Sequence, residues 1–333
     1  MRVGVIGLGW FGELHCDTVR GVPGLELYGI STRNVNRLTT LQQKYSCSIA
    51  TVDYQELIAD KEVDLIVVCT PPENHAEIAI AALQNDKDVF IEKPIAHDLE
   101  SASSIITASK GSKGKLFVGH ILRFNVRFQE AKEMIDGGEI GELLSVATHR
   151  QLPAGRTEEL LESTSPFISD AIHDINLILW FTSLTSGEVF AQTSSKRKLK
   201  NPDLGQIVIK SDSGVLANLR INWHMPDQTP FAVDEFCQVV GTEGSIYIGN
   251  QLDAMHLVNK SGLRVPDLFY WPKRKNGPVG ALREEYLSIF KCLRHDQDSE
   301  LTNIGDSFHA LAIALAAERS ARYNEVVGFN LLQ

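Results

Sequence analysis

The chain has 333 residues and a formal net charge of −10, with 43% apolar and 22% charged residues. This length suits roughly two domains, and the negative charge argues against a large nucleic-acid-binding surface. No apolar run reaches the ~18–20 residues that a membrane span needs. The five cysteines form no CxxC pair, which is typical of reduced thiols. We therefore expect a cytoplasmic protein that binds neither nucleic acid nor membrane.

The first twelve residues predict a dinucleotide-binding turn. An apolar strand at residues 3–6 runs into a GxGxxG motif, and a helical segment follows at 13–20. The first glycine allows the tight turn, the second lets the backbone approach a pyrophosphate, and the third lets the helix pack close to the strand. The free N–H groups at the helix start then face the phosphates. The residues expected at the phosphates are Gly7, Gly9, Trp10, Phe11 and Gly12.

The end of the second predicted strand, residues 25–31, indicates which dinucleotide binds. NAD-specific folds usually carry an acidic residue there, whereas this chain has Thr32 and Arg33, with Arg37 one turn further along. Threonine and arginine can bind a 2′-phosphate that a carboxylate would repel. NADP(H) is therefore favoured over NAD(H). The alternative is that both arginines are solvated surface charges and that NAD(H) is used.

Strands and helices alternate up to about residue 120, which predicts a Rossmann domain over residues 1–120. Ligands bind beyond the carboxyl ends of the strands in such a sheet. The residues expected to touch the cofactor there are Thr70, Pro71, His75, Glu92 and Lys93. The predicted strands after the second are 63–69, 88–91 and 116–119, and the predicted helices are 34–45, 54–59, 76–84 and 99–110.

The pattern then changes, which predicts a second, α+β domain over residues 121–333. Several strands between residues 143 and 258 indicate one large, mostly antiparallel sheet. Because helices cover only one side of it, the open face is expected to mediate a homodimer or homotetramer. The predicted helices are 127–136, 168–181, 282–294 and 304–323, and the predicted strands are 143–149, 189–193, 206–210, 215–223, 236–241, 245–248 and 254–258.

Two side chains in this arrangement suit proton transfer. Lys93 follows a buried strand, where it can stabilise negative charge developing on a substrate oxygen; the alternative is an ordinary loop lysine paired with Glu92. His173 lies three residues after Asp170 on a predicted helix, so the two can act together as a general acid/base. The alternative is a histidine buried against Trp180 or capping a loop. No His/Cys/Asp spacing resembles a metal site.

These motifs together resemble the glucose–fructose oxidoreductase / inositol dehydrogenase (Gfo/Idh/MocA) family across essentially the whole chain. The resemblance rests on the glycine motif, on Thr70-Pro71-x-x-Asn74-His75, on Glu92-Lys93-Pro94 and on His173-Asp-Ile-Asn-Leu. It also includes Gly241-Thr-Glu-Gly244 and the final alanine-rich helix. It implies an N-terminal Rossmann domain, a C-terminal domain whose sheet forms dimers or tetramers, and NAD(P)-dependent oxidation or reduction of a sugar, cyclitol or related polyol.

By this resemblance Lys93 is the catalytic lysine and His173 the catalytic histidine. The chain departs from the family pattern at Ser169, where many members have Asp, so Asp170 is the only carboxylate near His173. Asn176 also stands where Asp is common, and it is expected to face the substrate. The segment around Arg123 resembles members that act on sugars or nucleotide sugars, which makes Arg123 a candidate substrate ligand.

Two other functions are left open by the family resemblance. Some relatives reduce non-sugar carbonyls or imines, as dihydrodiol dehydrogenase and biliverdin reductase do, and others are sugar-responsive regulators that bind NAD(P) without catalysis. The presence of both Lys93 and His173 favours an enzyme, because a pure sensor has no need of the pair.

Overall fold

The computed structural model describes residues 1–230, 232–250, 252, 254–275, 277–295 and 304–331, with the side chains of 156, 159 and 160 set aside. The chain divides into two compact units. The first comprises Met1–Phe124 and Phe269–Phe308, and the second comprises Asn125–Leu268 and His309–Gln333. The division differs from the expected domains, because Phe269–Phe308 belongs with the N-terminal unit rather than with the C-terminal domain.

The helices and strands are numbered along the chain. The helices are α1 Trp10–Gly21, α2 Val35–Tyr45, α3 Tyr54–Ala59, α4 His75–Gln84, α5 Leu99–Gly111, α6 Val126–Asp136, α7 Ala154–Ser163, α8 Ile172–Thr182, α9 Ala281–His295 and α10 Ile304–Tyr323. The strands are β1 Arg2–Ile6, β2 Glu26–Ser31, β3 Ile49–Thr51, β4 Leu65–Val68, β5 Asp88–Glu92, β6 Leu116–Gly119, β7 Leu143–Pro153, β8 Ser186–Ser194, β9 Leu204–Ser211, β10 Leu216–Met225, β11 Asp234–Gly241, β12 Ser245–Ile248, β13 Leu257–Asn259, β14 Gly262–Arg264, β15 Lys273–Arg274, β16 Gly277–Pro278 and β17 Val327–Asn330.

The first unit contains a six-stranded parallel sheet in the order β3-β2-β1-β4-β5-β6. This is the strand order of dinucleotide-binding Rossmann folds, which confirms the predicted fold class. Strand β4 is buried along its whole length, as its continuous apolar sequence predicts for a strand covered on both faces. The order reverses between β1 and β4, so the carboxyl ends of these strands form the crevice where such folds bind ligands.

The second unit contains a seven-stranded sheet in the order β12-β11-β7-β10-β9-β8-β17. All neighbours are antiparallel except β7 and β10, which run parallel, so the expected mostly antiparallel sheet is confirmed. Buried and exposed residues alternate along β8, β9 and β10, which leaves one face of these strands exposed.

Two local differences from the predicted elements bear on the site. The helix expected over 168–181 begins as a π-helix at Phe167–Ala171, and only then continues as α8. Helix α7 and strand β17 were not expected at all. Within the described ranges, no helix combines the length and apolarity needed to cross a membrane.

Candidate functional site

Each glycine of the turn after β1 has a separate steric role. Gly7 has a φ of +93°, and a Cβ on it would lie 2.6 Å from the carbonyl carbon of Cys69. A Cβ on Gly12 would collide with the carbonyl oxygen of Gly7. A Cβ on Gly9 would meet no atom of the described residues within 4 Å. The turn and the close helix contact therefore require Gly7 and Gly12, whereas Gly9 faces open space that a ligand can fill.

A cavity of about 640 Å³ opens beside this turn, at the carboxyl edge of the parallel sheet. The hydroxyl oxygen of Thr70 is buried in its wall and has no hydrogen-bond partner in the described part of the chain. An unsatisfied buried hydroxyl and an open glycine both fit a polar ligand such as a dinucleotide. The lining residues are Ile6, Gly7, Leu8, Gly9, Ser31, Thr32, Arg33, Asn34, Val52, Tyr54, Cys69, Thr70, Pro71, Asn74, Glu77 and Ile78.

The two arginines expected at a 2′-phosphate have different environments. Arg33 is exposed and lines the cavity together with Thr32. Arg37 instead donates from Nε to the carbonyl of Leu8 and from Nη2 to the carbonyl of Gly9 at 3.2 Å. Its Nη2 also bonds Glu13 at 2.7 Å. The Arg37 guanidinium thus stabilises the glycine turn from the protein side, which differs from the expected contact with a 2′-phosphate.

Trp10 and Phe11, the remaining residues of the turn, belong to an aromatic cluster. Trp10 is 67% exposed, and its ring lies edge-on to Trp271 with centroids 5.5 Å apart. Phe11 contacts the same indole at 5.7 Å and the ring of His15 at 4.9 Å. The indole of Trp10 is therefore an exposed fluorophore at the start of α1.

His75 joins two loops at the carboxyl edge of the sheet. Its Nδ1 lies 2.9 Å from the carbonyl oxygen of Pro94, and its Nε2 lies 2.8 Å from that of Thr70. Burial lowers the pKa of His75, although both carbonyls favour the protonated ring. The side chain expected to touch the cofactor thus holds the loop after β4 against the loop that follows Lys93.

Lys93 and Glu92 lie where β5 ends, and Glu92 is in register with Gly119 on β6. Lys93 is half-buried, and its backbone N–H donates to the Glu92 carboxylate at 3.3 Å. The other Glu92 oxygen lies 3.1 Å from Nε2 of His15. The sequence carries no local signal that His15 is a partner of Glu92, because the two residues are 77 positions apart.

Arg123 is buried in the first unit, 1% exposed, and donates from Nη2 to Asp306 at 2.7 Å. Burial lowers the pKa of Arg123, and the charge of Asp306 opposes that shift. The Arg123 guanidinium, expected to bind the substrate, is thus held by the Asp306 carboxylate.

In the second unit, His173 lies in the first turn of α8 and is partly buried. Asp170 precedes it within the π-helix, so the i, i+3 geometry of an α-helix does not apply. The Asp170 carboxylate accepts a hydrogen bond of 2.5 Å from the indole N–H of Trp223 on β10. Asn176 follows on α8 and is 1% exposed.

Asp174 of α8 joins three other charged side chains in a group, the ion network, in which all but the partly buried Arg127 are buried. Its members are Arg127, Arg150, Asp174 and Glu235. Arg150 donates to Asp174 at 3.0 and 3.3 Å and to Glu235 at 3.3 Å. Arg127 donates to the other Glu235 oxygen at 2.5 Å. Burial raises the pKa of Asp174, and the adjacent Arg150 opposes the shift. The network anchors the residue next to His173. The signal in the sequence was a charged residue at a strand position that faces the interior. Arg150 on β7 and Glu235 on β11 both occupy such positions, and they are register partners.

No group of three His, Cys, Asp or Glu side chains within the described ranges could hold a metal ion. Lys93, His173 and Asp170 have side chains that can hydrogen-bond and transfer protons.

The chain was compared with protein families, curated proteins and solved structures. Residues 1–120 match the model of the oxidoreductase family with an NAD-binding Rossmann fold, and residues 128–247 match the GFO/IDH/MocA C-terminal domain. The chain is 27% identical to myo-inositol 2-dehydrogenase of Thermotoga maritima, over 98% of this chain and 100% of that one. It is 29% identical to scyllo-inositol 2-dehydrogenase (NAD(+)) of Bacillus subtilis, over 75% and 74%.

The fold is also that of a solved structure. Myo-inositol 2-dehydrogenase from Lactobacillus plantarum aligns with a TM-score of 0.87 at 23% identity, over 99% of each chain. The family models match the N-terminal and the C-terminal parts of the chain separately, and the described geometry agrees with both. This chain therefore belongs to the Gfo/Idh/MocA family of oxidoreductases.

Proposed function

We propose that the protein is an NAD(P)-dependent dehydrogenase that interconverts a ring hydroxyl of a cyclitol or related sugar with the corresponding ketone. The observation that carries the proposal is the glycine turn, open at Gly9, with Lys93 on the same carboxyl edge of the parallel sheet. The names of the curated relatives at 27–29% identity, which act on inositols, support the substrate class.

The turn at Gly7–Gly12, with Thr70, Pro71 and Glu92, would hold the dinucleotide. Its pyrophosphate fits the N-terminal end of α1, where the partial positive charge of the helix favours an anion. When bound, the nicotinamide accepts or returns a hydride. The protein must then position the substrate carbon, hold its oxygen and move one proton.

Lys93 and His173 supply these last two functions in the proposed mechanism. The Lys93 ammonium donates a hydrogen bond to the reacting oxygen and stabilises the charge that develops on it. His173 accepts the hydroxyl proton during oxidation and returns it during reduction. Asp170 is proposed to support the histidine electrostatically, and Asn176 and Arg123 remain proposed substrate residues.

The test is a cofactor-reduction assay across cyclitols, sugars and nucleotide sugars. Lys93→Ala is expected to lower kcat by about 10²–10³-fold, because it removes a hydrogen-bond donor to the developing charge. Lys61→Ala, which removes an exposed lysine of the same unit, is the matched control. Tight NAD(H) binding without turnover on any substrate contradicts the proposal and favours a regulator.

We further propose that Arg33 and Thr32 accept a 2′-phosphate, so that NADP(H) binds at least as well as NAD(H). Arg33→Ala is expected to weaken NADP(H) several-fold and leave NAD(H) unchanged, because only NADP(H) carries the extra phosphate. Arg37→Ala is expected to weaken both cofactors equally, since Arg37 supports the turn that both would share. A wild-type protein that binds only NAD(H) overturns this preference.

The exposed face of the seven-stranded sheet is proposed to form the homo-oligomer. Its outward-facing side chains include several large apolar groups. The surfaces of monomeric proteins rarely carry such groups close together. Val208→Glu is expected to shift the molar mass measured by light scattering to that of a monomer, and a monomeric wild type contradicts the proposal. The apolar residues are Phe190, Val208, Leu216 and Tyr247, with exposures of 37–66%.

A further inference from the structure

Three side chains from distant parts of the first unit meet in its interior. His15 lies on α1, Glu92 ends β5, and Tyr286 lies on α9. Nδ1 of His15 is 2.7 Å from the Tyr286 hydroxyl, and Nε2 is 3.1 Å from the Glu92 carboxylate. His15 and Tyr286 are both 0% exposed. Both ring nitrogens of a fully buried histidine are therefore engaged.

The hydrogen bonds among Tyr286, His15 and Glu92 can all be donated in the same direction, from Tyr286 towards Glu92. With its proton on Nε2, His15 donates to Glu92, and its Nδ1 then accepts a hydrogen bond from the Tyr286 hydroxyl. Burial raises the pKa of Tyr286 far above its usual range, so the phenol keeps the proton that it donates. Glu92 is therefore the final acceptor in the series of hydrogen bonds from Tyr286 through His15.

Aromatic rings fix the orientation of the histidine. Phe11 lies edge-on to the imidazole at 4.9 Å, and Phe90 also packs edge-on against it at 5.5 Å. Phe90 also contacts the ring of Tyr286 at 5.5 Å. Close-packed aromatic neighbours restrict rotation of the imidazole, which keeps Nε2 directed at Glu92.

Burial shifts the pKa values of two other titratable groups in this region, Glu285 and His120, towards their uncharged forms. Glu285 is fully buried, and neither oxygen has a hydrogen-bond partner of normal geometry in the described part of the chain. Burial and the nearby charge of Glu92 raise the pKa of Glu285 well above its usual range, and the backbone N–H of His120 only partly opposes this. Burial, with the charges of Arg123 and Lys93, lowers the pKa of His120. Of these two carboxyl groups, Glu92 is the one that lies within hydrogen-bond distance of His15.

We propose that His15 and Tyr286 are positioning residues that form, with Glu92, a buried hydrogen-bonded triad orienting the Glu92 carboxylate beside Lys93. Helix α9 thereby contributes to the catalytic edge of a sheet that the chain has completed some 160 residues earlier. The triad rests on the proposed function, because Lys93 acts as its catalytic group. It assigns a role to Tyr286, which belongs to none of the motifs that identify the family here.

The first experiment detects the triad without turnover. In cofactor-free protein labelled with ¹⁵N-histidine, the His15 signals, assigned by their loss in His15→Gln, are expected to show the proton on Nε2 and a hydrogen-bonded lone pair on Nδ1. Tyr286→Phe removes the donor to Nδ1. The ¹⁵N chemical shift of Nδ1 is therefore expected to move to that of a nitrogen whose lone pair accepts no hydrogen bond. A ring protonated on Nδ1, or an unchanged Nδ1 signal in the variant, overturns the triad.

The second experiment measures its consequence for catalysis. Tyr286→Phe is expected to lower kcat about tenfold, with the substrate KM within about twofold, as removal of a group that orients a catalytic side chain does. The matched control is Tyr45→Phe, which removes the hydroxyl of another tyrosine of the same unit, at the end of α2, where it donates to Asp17 at 2.8 Å. An unchanged kcat in Tyr286→Phe, or an equal loss in Tyr45→Phe, overturns the positioning role.

A third comparison separates orientation from bulk. His15→Gln retains an N–H donor towards Glu92, whereas His15→Leu retains only volume, so the Gln variant is expected to keep the higher kcat. Equal kcat values in the two variants contradict the proposal. A wild-type protein that turns over no polyol refutes the proposed function instead, and the ¹⁵N signals then decide the triad by themselves.

Discussion

The candidate catalytic side chains of the two units have opposite kinds of support. Two buried groups of the first unit, His120 and Glu285, have pKa values that burial shifts towards their uncharged forms. The residue next to His173 in the second unit, Asp174, is held by the ion network. The first arrangement relies on removing charge and the second on pairing it.

The difference follows from the cost of burying charge. A buried ion must be paired and hydrogen-bonded, and an unpaired titratable group becomes neutral instead. The supply of partners differs between the units: Arg150 reaches both Asp174 and Glu235, whereas Glu285 has no cationic partner in the described residues that would favour its ionised form. The two units should therefore respond differently to substitution and to pH.

The largest expected effect is on stability, from a substitution in the ion network of the second unit. Arg150→Met is expected to lower the free energy of unfolding by about 3–5 kcal/mol, because it leaves the buried Asp174 without its ion-pair partner. Urea denaturation at pH 7 measures the change. Replacing both residues, by Arg150→Met with Asp174→Leu, is expected to recover most of the loss.

The control for this substitution is Arg264→Met, at an exposed position of β14 in the same unit and outside the seven-stranded sheet. It is expected to change the free energy of unfolding by less than about 0.5 kcal/mol. If Arg150→Met costs no more than this control, the ion network does not stabilise the second unit.

A smaller effect is expected from pH on the free energy of unfolding, through the buried histidines of the first unit. The pKa values of His75 and His120 are lowered from 6.5 in the folded protein, so below pH 6.5 the unfolded chain binds more protons than the native state. Their contribution is complete above pH 6.5 and is lost as the pH falls, by at most about 1.4 kcal/mol per pH unit for each histidine. The raised pKa values of Asp174 and Glu285 act in the opposite direction.

A comparison of variants measures the contribution of His120 to this pH dependence. His120→Leu is expected to reduce the slope of unfolding free energy against pH between about pH 5 and 6.5, by up to the contribution of one histidine. The exposed His256 supplies the control His256→Leu, for which the slope is expected to stay that of the wild type. Identical slopes in all three proteins contradict a neutral buried His120.

The smallest effect on stability is expected at the glycine turn. A Cβ at Gly9 meets no described atom, so Gly9→Ala is expected to change the free energy of unfolding by less than about 0.5 kcal/mol. The same methyl group would occupy the space for the pyrophosphate, so the Kd for NAD(H) is expected to rise at least about tenfold. Quenching of the exposed Trp10 measures binding.

Gly12→Ala provides the contrast, because its Cβ would collide with the backbone of Gly7. It is expected to destabilise the fold as well as weaken binding. Equal stability losses in Gly9→Ala and Gly12→Ala would show that the two glycines do not have the separate roles described above.

Local sequence patterns sufficed where the physical signal is local. The apolar run of β4 and the glycine motif after β1 are short-range features, and the structure confirms the Rossmann order of the sheet that they predict. Strand β3 escaped prediction because its three residues are too few to show a period. Helix α7 and strand β17 likewise depend on the strands against which they lie.

The roles of single side chains were harder to predict, since periodicity indicates a face of a helix but not its partner. Arg37 was expected at a phosphate, yet its guanidinium bonds the carbonyls of Leu8 and Gly9. Asp170 was assigned to His173 from α-helical spacing, but the π-helix changes that spacing and Trp223 binds the carboxylate.

The sequence by itself determined the family, the fold class and the residue types available for catalysis, because strand burial, turn glycines and motif spacing are encoded within a few neighbouring residues. Only the tertiary structure decided that Phe269–Phe308 belongs to the first unit and that Tyr286 meets His15, 271 positions away. Such contacts depend on which faces are buried together, and no local pattern specifies the partner of a buried polar group.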